Sequence, residues 1–301
     1  MSATTSPATG RTYGVERVCS TWGVARSSHY SRQAAANEDT RPAPAKRGPK
    51  SKISDEELLA AIKDDLSTSP FIGEGHRKVW ARLRIRSGIR VAATRVLRLM
   101  RQNKLLSPHR GRQAPPNPHD GKIISDAPNV MWGTDGARVL TVDDGWVWTF
   151  FAVEHWNAEC VGWHACKKGD RYAALQPISM ALAAHYGSTG ADAARGLALR
   201  MDHGSQYLSE HFTNQIKFWG INPSYAFIEQ PQTNGVAERF TRTFKEQVIH
   251  GRTYQNLAEL RLAVQEFVDR YNSQWLIEKM GYMTPNQARR AWFGEQMPRA
   301  A

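Results

Sequence analysis

The chain has 301 residues, of which 41% are hydrophobic and 23% are charged, a composition typical of a globular protein. Forty Lys and Arg residues against 28 Asp and Glu give a formal net charge of +12, which favours a polyanionic partner such as nucleic acid. No apolar run approaches the roughly eighteen residues of a membrane helix, and the first ten residues lack a secretory signal core, so we expect a cytosolic protein. Three cysteines without a Cys-x-x-Cys pair indicate neither a disulfide framework nor a zinc finger.

The excess positive charge lies in one segment of the chain. Residues 41–112 hold eighteen Lys or Arg and six Asp or Glu, so the rest of the sequence is neutral. Before this segment, residues 1–40 form an N-terminal tail in which a break at Gly23 permits a small helix-turn-helix remnant; a short packing segment is the simpler interpretation. Residues 41–53 combine Pro, Gly and five cations, which predicts a basic linker.

Residues 54–110 are predicted to form a basic helix-turn-helix region. A helix begins after Ser54, because Ser54 and Glu57 have the spacing of a capping box. Gly88 then separates two further segments with helical repeats of apolar residues. A solvated basic face is the alternative interpretation of the cations that follow. The second of these helices carries arginines that we expect to contact DNA phosphates, at Arg95, Arg98 and Arg101.

The second half of the chain has a different pattern. Residues 107–121 contain four prolines and two glycines, so we place a linker at 111–124 and a second domain at 125–295. Strand-like and helix-like segments alternate there, which predicts an α/β fold with a mixed sheet. The strands are predicted at 131–142, 146–154, 159–166, 197–201 and 223–228, and the helices at about 171–186, 206–219, from Asn234 onwards and 256–271.

Three acidic residues of this domain stand out by their positions. Asp135 lies within a strand between apolar neighbours, where an unpaired charge is costly. Asp202 ends a strand, and Glu238 lies in the first turns of the helix that Asn234 is placed to cap. Helix capping or local hydrogen bonds explain each acid taken singly. Together, as a set of hard oxygen ligands, they predict a site for two Mg²⁺ or Mn²⁺ ions.

Other candidate features have structural explanations. Core packing is a better interpretation than zinc binding for four residues close in sequence, since no Cys-x-x-Cys pair accompanies them. The four candidate zinc ligands are His155, Cys160, His164 and Cys166.

Sheet packing likewise explains most of the tryptophans, with stacking on nucleobases as the less favoured interpretation for residues such as Trp146.

Three motifs in this sequence resemble those of a known superfamily. They are NVMWGTD at 129–135, RMDHGSQY at 200–207 and QPQTNGVAERFTRTFK at 230–245, with 35 residues between the last two acids. This set resembles the DDE transposases and retroviral integrases and, more narrowly, the OrfB-type transposases of bacterial insertion sequences. Residues 75–106 resemble the helix-turn-helix that precedes the core in those proteins. The chain departs from the family at 275–277, where Trp-Leu-Ile replaces a frequent Arg-Pro-His.

The resemblance implies a ribonuclease-H-like integrase core, a mixed five-stranded sheet with helices, preceded by a helical DNA-binding region. It implies a transposase that cleaves DNA at the ends of an insertion sequence and transfers the freed 3′-OH to another phosphodiester. It also implies a multimer on paired DNA ends, an OrfA partner or frameshift fusion, and a location at the bacterial nucleoid. A metal-dependent nuclease and a non-catalytic DNA-binding regulator are the alternatives. Catalysis and metal binding are expected at Asp135, Asp202 and Glu238, and DNA contacts at Lys245, Arg242, His203 and Gln206.

Overall fold

The computed structural model describes four stretches of the chain, which are residues 3–36, 52–107, 124–226 and 234–294. Within these stretches no helix combines the length and the apolar character needed to cross a bilayer. The chain divides into two units, Met1–Lys52 and Ile53–Ala301. Most of the predicted basic linker and nearly all of the predicted linker at 111–124 lie outside the described residues.

The first unit contains two short helices, α1 (Val15–Thr21) and α2 (Arg26–Ala36). Gly23 lies between them with a φ of +62°, in the left-handed region that glycine adopts without strain. Two helices joined at a glycine are therefore present, as the less favoured interpretation of this segment allows.

The second unit opens with three helices, α3 (Asp55–Thr68), α4 (His76–Arg86) and α5 (Ala93–Gln102). The predicted capping box is formed, since the Glu57 amide donates to the Ser54 hydroxyl at 3.1 Å and the Ser54 amide donates to the Glu57 carboxylate at 2.8 Å. Their apolar faces meet in a small core of Leu58, Ile62, Val79, Leu83, Val96, Leu99 and Met100.

A buried ion network joins α3 to α4. The Arg82 guanidinium is only 3% exposed and donates to both carboxylate oxygens of Asp65, at 2.9 and 2.7 Å. It also pairs with the buried Glu74, which lies 3.8 Å from the Lys78 ammonium. Because buried charges are tolerated only when they are paired, this network fixes the loop between the two helices.

The loop between α3 and α4 also contacts the second half of the chain. The Gln247 side chain accepts a hydrogen bond from the Ile72 amide at 2.9 Å and donates one to the Ile72 carbonyl at 2.7 Å. Trp275, the first residue of the departure from the family pattern, packs edge-on against Phe71 with ring centroids 4.9 Å apart. These contacts attach the helical region to the domain that follows it.

That domain is built on a five-stranded mixed sheet, as predicted. The strands are β1 (Met131–Thr141), β2 (Gly145–Glu154), β3 (Cys160–Cys166), β4 (Ala198–Met201) and β5 (Asn222–Tyr225). β1 pairs antiparallel with β2 and parallel with β4, and the spatial order is β3-β2-β1-β4-β5. The predicted fifth strand ends earlier than expected, because its pairing with β4 stops at Tyr225.

Helices cover both faces of this sheet. The single helix predicted for 206–219 is two helices, because Ser209 interrupts it and caps the second by accepting from the Phe212 amide. The helix that begins after Asn234 changes to a π-helical turn at Lys245–Ile249. The helices are α6 (Arg171–Tyr186), α7 (Ser205–Leu208), α8 (Glu210–Phe218), α9 (Gly235–Phe244), α10 (Leu257–Gln274) and α11 (Pro285–Trp292).

The two faces of the sheet bury separate apolar cores. Trp132 and Phe150 face α6 and α8, whereas Phe151 faces α9 and α10, where Phe240 and Phe267 meet it. Alternation of side chains along β1 and β2 produces this division, since successive residues of a strand point to opposite faces. The result is a three-layer α/β/α arrangement with helices on both sides.

Replacing Glu74 with Ala removes one of the two carboxylates that face the buried Arg82 guanidinium. Because loss of a buried partner leaves a charge poorly compensated, we expect the free energy of unfolding to fall by about 3 kcal/mol. Glu278→Ala breaks the exposed pair with Arg77 and is the matched control, with an expected loss below about 1 kcal/mol. Urea unfolding followed by circular dichroism measures both variants, and equal losses would contradict the assignment.

Candidate active site

The parallel pairing of β1 with β4 brings two of the predicted acids to the same end of the sheet. Gly133 lies opposite Arg200 in this register. Two residues further on, Asp135 lies beside the end of β4, which Asp202 follows directly. The carboxyl ends of neighbouring parallel strands are where ligands commonly bind in α/β sheets.

The third acid is carried by α9, which begins beside β1. Asn234 is predicted to cap α9, but its side chain makes no capping hydrogen bond. Its side-chain amide instead donates to the Thr134 carbonyl at 3.0 Å. Gly133 permits this close approach, because a Cβ at that position would lie 2.9 Å from Asn234 Oδ1. Glu238, one helical turn after Asn234, is thereby held near Asp135.

The three carboxylates interact electrostatically. Burial raises the pKa of Asp135 and the charge of Asp202 raises it further, against the Gly136 amide and the Lys245 ammonium, which lower it. Burial also raises the pKa of Glu238, with the charges of Asp135 and Asp202 as the next causes. Carboxylates placed this way destabilise one another's ionised forms unless a cation joins them.

A cleft of about 430 Å³ opens over Asp135 and Glu238. The Asp202 carboxylate does not line it, and instead accepts the Gly204 amide at 2.8 Å. In this arrangement no three His, Cys, Asp or Glu side chains of the described residues come together closely enough to hold a metal ion. This cleft, the acid cleft, is lined by Asp135, Glu238, Thr241, Arg242, Lys245, Glu246 and His250.

The donors in the cleft nevertheless fit a divalent cation in their chemistry. Carboxylate oxygens are the ligands that Mg²⁺ and Mn²⁺ prefer. The raised pKa values of Asp135 and Glu238 show that their negative charges are poorly compensated by the protein alone. A bound cation would remove that cost.

The neighbouring His and Cys side chains form no metal site within the part of the chain that the structure describes. The Cys160 thiol is buried and donates to the Gly162 carbonyl, and burial raises its pKa far above the usual range. Burial and the charges of Lys279 and Arg200 lower the pKa of His155 to about 4. Both groups are therefore neutral at pH 7 and belong to the packed interior.

The predicted DNA contacts of the core occupy two places. Lys245 and Arg242 line the acid cleft, and Arg242 also pairs with Glu246 at 3.0 Å. His203 is exposed after β4, with its ring 5.9 Å from that of Tyr225. Gln206 lies in α7 and is half-buried.

The arginines of α5 lie in the helical region and do not line the cleft. Arg95 and Arg98 both pair with Asp55 at the start of α3, at 2.7 and 2.6 Å. Arg101 is exposed to solvent. The sequence showed the arginine stripe but not its carboxylate partner, which is forty residues away in the chain.

Sequence reasoning missed one residue that holds the site together and gave a different contact to another. Tyr207 is fully buried, and its hydroxyl lies 3.3 Å from the hydroxyl of Thr134, the residue before Asp135. It therefore connects the segment after Asp202 to the strand that carries Asp135. The tyrosine lies inside the RMDHGSQY motif, which was the available signal. Asn234, predicted as a helix cap, instead donates to the Thr134 carbonyl.

Comparison with protein families now identifies both parts of the chain. Residues 54–113 match an HTH-like domain, and residues 125–231 and 219–285 match two models of an integrase core domain. The transposase for insertion sequence element IS629 of Shigella sonnei is 30% identical over 292 residues, which cover 93% of each chain. A putative transposase for IS986/IS6110 of Mycobacterium tuberculosis is 27% identical over 75% of this chain and 85% of its own length.

Solved structures give a weaker similarity. A chain in the intasome of simian T-cell lymphotropic virus, bound to PP2A regulatory subunit B56 gamma, has a TM-score of 0.43 and 14% identity over 80% of this chain and 76% of its own. The assignment therefore depends on the sequence relatives and the domain matches. The chain belongs to the family of insertion-sequence transposases of the OrfB type, and it is a DDE-type polynucleotidyl transferase with an integrase core.

Asp135→Asn should stabilise the metal-free protein at pH 7. Because the pKa of Asp135 is raised in the fold, its ionised form costs stability above that pKa, and the cost disappears below the ordinary carboxyl value. The amide oxygen can still accept the Gly136 amide, so the melting temperature should rise by about 2–4 °C, the shift for 1 kcal/mol in a domain of this size.

Thermal unfolding in EDTA at pH 7 and pH 3 measures this effect. The exposed Asp64→Asn is the control and should move the melting temperature less. A lower melting temperature for Asp135→Asn at pH 7 would show that the charge is well compensated in the fold, contrary to the electrostatic interpretation.

Proposed function

We propose that Asp135, Asp202 and Glu238 together hold two Mg²⁺ or Mn²⁺ ions and catalyse DNA strand cleavage and strand transfer at insertion-sequence ends. The observation that carries this proposal is that Asp135 and Glu238 line one cleft, where burial first and the neighbouring negative charges next raise the pKa of both carboxyl groups. For all three to share an ion, the Asp202 carboxylate has to turn from the Gly204 amide toward the other two acids. Its exposed position after β4 permits this rotation.

The reaction consists of two in-line displacements at phosphorus. Water first attacks the phosphodiester at the element end, which releases a 3′-OH. This hydroxyl then attacks a second phosphodiester, and the 3′-oxygen of the target strand departs with a proton. When bound, the divalent ions would activate the attacking oxygen and stabilise the departing one. No covalent intermediate with the protein is required, which agrees with a cleft that holds no Ser, Cys or Tyr nucleophile among its described lining residues.

The other side chains of the cleft position the DNA. Lys245 and Arg242 supply positive charge beside the acids and are proposed to bind the phosphates next to the scissile bond. His203 and Gln206, close in sequence to Asp202, are proposed to orient the strand from the β4 side. The positive charges of Lys245 and Arg242 also reduce the electrostatic repulsion between the DNA phosphates and the carboxylates of the site.

The helical region is proposed to bind DNA away from the cleft. The HTH-like domain match and the arginines of α5 support this role. Arg98 and Arg101 are exposed, and Arg95 and Arg98 are held by ion pairs with Asp55. Residues 41–53 and 111–124 are proposed as linkers, and residues 1–40 as a separate small helical unit. Assembly as a multimer on paired ends, an OrfA partner or fusion and a location at the nucleoid complete the proposal.

Glu238→Gln tests the metal-binding role of the triad. Loss of one carboxylate ligand removes several kcal/mol of charge stabilisation, so cleavage of labelled element-end DNA in Mg²⁺ or Mn²⁺ should fall by about a thousandfold or more, with DNA binding retained. Glu246→Gln is the matched control, because Glu246 lines the same cleft but pairs with Arg242, and its activity should stay within about tenfold of the wild type.

Equal activity of the Glu238→Gln variant and the wild type would overturn the proposed site. A pre-cut end with a free 3′-OH, used in the same assay, separates the transposase from a nuclease of the same fold. Joining of that end to target DNA is the expected result, and cleavage without joining would contradict the transfer step.

Arg101→Ala tests the DNA contacts of α5. If Arg101 binds one phosphate, its loss should reduce the slope of log K against log salt by about 0.9. Arg95→Ala is the comparison, because Arg95 is only 21% exposed and held by Asp55, and it should change the slope less. Fluorescence anisotropy with duplex DNA between low and moderate salt measures both slopes. An unchanged slope for Arg101→Ala would remove this residue from the interface.

A further inference from the structure

The far end of the β1–β2 hairpin carries apolar surface that the core does not use. β1 pairs with β2 along its length up to Thr141, but it pairs with β4 only over Met131–Gly133. Beyond that point three large apolar side chains are more than half exposed, which is unusual for neighbours in a sheet. They are Leu140 at 57%, Val142 at 61% and Trp146 at 53%.

A second cleft, of about 390 Å³, lies between this hairpin and the segment that follows the π-helical turn. Its described lining contains two arginines and no acidic residue, in contrast to the acid cleft. The residues that line it are Arg138, Val139, Leu140, Thr141, Val142, Trp146, Ile249, Arg252 and Thr253.

An arginine packs against the tryptophan of this second cleft. The Arg138 guanidinium lies over the Trp146 ring, 4.8 Å from its centroid, and 5.6 Å from the centroid of Trp148. Arg138 is directly opposite Trp148 across the hairpin, and Leu140 is opposite Trp146. The pairing holds the indole in a fixed orientation while leaving half of its surface exposed.

One segment of the chain forms a wall of both clefts. Lys245, Glu246 and His250 line the acid cleft, and Ile249, Arg252 and Thr253 line the second. A DNA strand with a phosphate at the acids can therefore continue along this segment into the second cleft. Its two arginines match the negative charge of that strand.

We propose that the second cleft binds an unpaired nucleobase of the strand being processed, stacked on Trp146, with Arg138 and Arg252 on the flanking phosphates. This proposal rests on the proposed function, since it assumes that DNA occupies the acid cleft. An exposed indole beside cations suits a free base, because stacking on an aromatic ring needs an accessible base face and a paired, stacked base offers none. The absence of acidic residues from the described lining disfavours a basic peptide as the occupant.

The test compares two DNA probes on the full chain in EDTA, where no cleavage occurs. One is a fully paired duplex, and the other is the same duplex with a few unpaired bases at one end, one of them 2-aminopurine. The wild type should bind the forked probe about tenfold more tightly than the duplex and should quench the 2-aminopurine fluorescence by stacking. Trp146→Ala should lose both the preference and the quenching, and Trp146→Phe should retain most of each.

Two controls separate this proposal from folding defects and from the catalytic proposal. Trp22→Ala removes a tryptophan that is 65% exposed elsewhere, and should behave as wild type. Glu238→Gln should keep the forked-end preference even if it abolishes cleavage, so failure of one proposal does not imply failure of the other. A preference that survives in Trp146→Ala, or no preference in the wild type, would overturn the base site. A Trp146→Ala variant that changes the sedimentation mass but not DNA binding would assign the surface to a protein partner instead.

Discussion

The burial of Asp135 and Glu238 in one cleft, close enough to Asp202 to interact with its charge, is the constraint on which the catalytic domain depends. Asp135 and Glu238 are held near each other although burial and neighbouring charge raise the pKa of both. Such an arrangement persists only if the surrounding contacts fix the backbone that carries the acids. Here the Asn234 amide fixes α9 to β1, and the Tyr207 hydroxyl faces Thr134 on the same strand. The fold thus holds poorly compensated charge in the cleft where we propose that a divalent cation and a phosphodiester bind.

The helical region is coupled to this site through hydrogen bonds and packing. The π-helical turn that follows α9 contains both Lys245, which lines the acid cleft, and Gln247, which binds the Ile72 backbone between α3 and α4. Trp275 strengthens the same contact by packing on Phe71. Direct contacts therefore connect the basic helices to the helix that carries Glu238. The buried Arg82 network keeps the loop between α3 and α4 in one conformation.

Local signals predicted much of the fold, and long-range contacts account for what they missed. The Ser54 capping box, the strand pattern and the five-stranded mixed sheet follow from residues close in sequence, and are confirmed. The break at Ser209 depends on one side chain that caps α8, which the apolar periodicity did not reveal. Two contacts join residues far apart in the chain. The ion pair of Arg95 with Asp55 spans 40 positions, and the hydrogen bond from the Asn234 amide to the Thr134 carbonyl spans 100. The motifs identified the candidate acids, but only the parallel register of β1 and β4 brings the two aspartates together.

The central claim is that these acids form one metal site, and direct measurement of metal binding tests it without DNA or turnover. Titration of the metal-free chain with Mn²⁺, followed by electron paramagnetic resonance of the free ion, gives the affinity and the number of ions. We expect saturable binding by the wild type, a much weaker affinity for Asp202→Asn and an unchanged affinity for Glu246→Gln. Wild-type affinity in Asp202→Asn would contradict the account, because it would mean that the acid outside the cleft takes no part in the site.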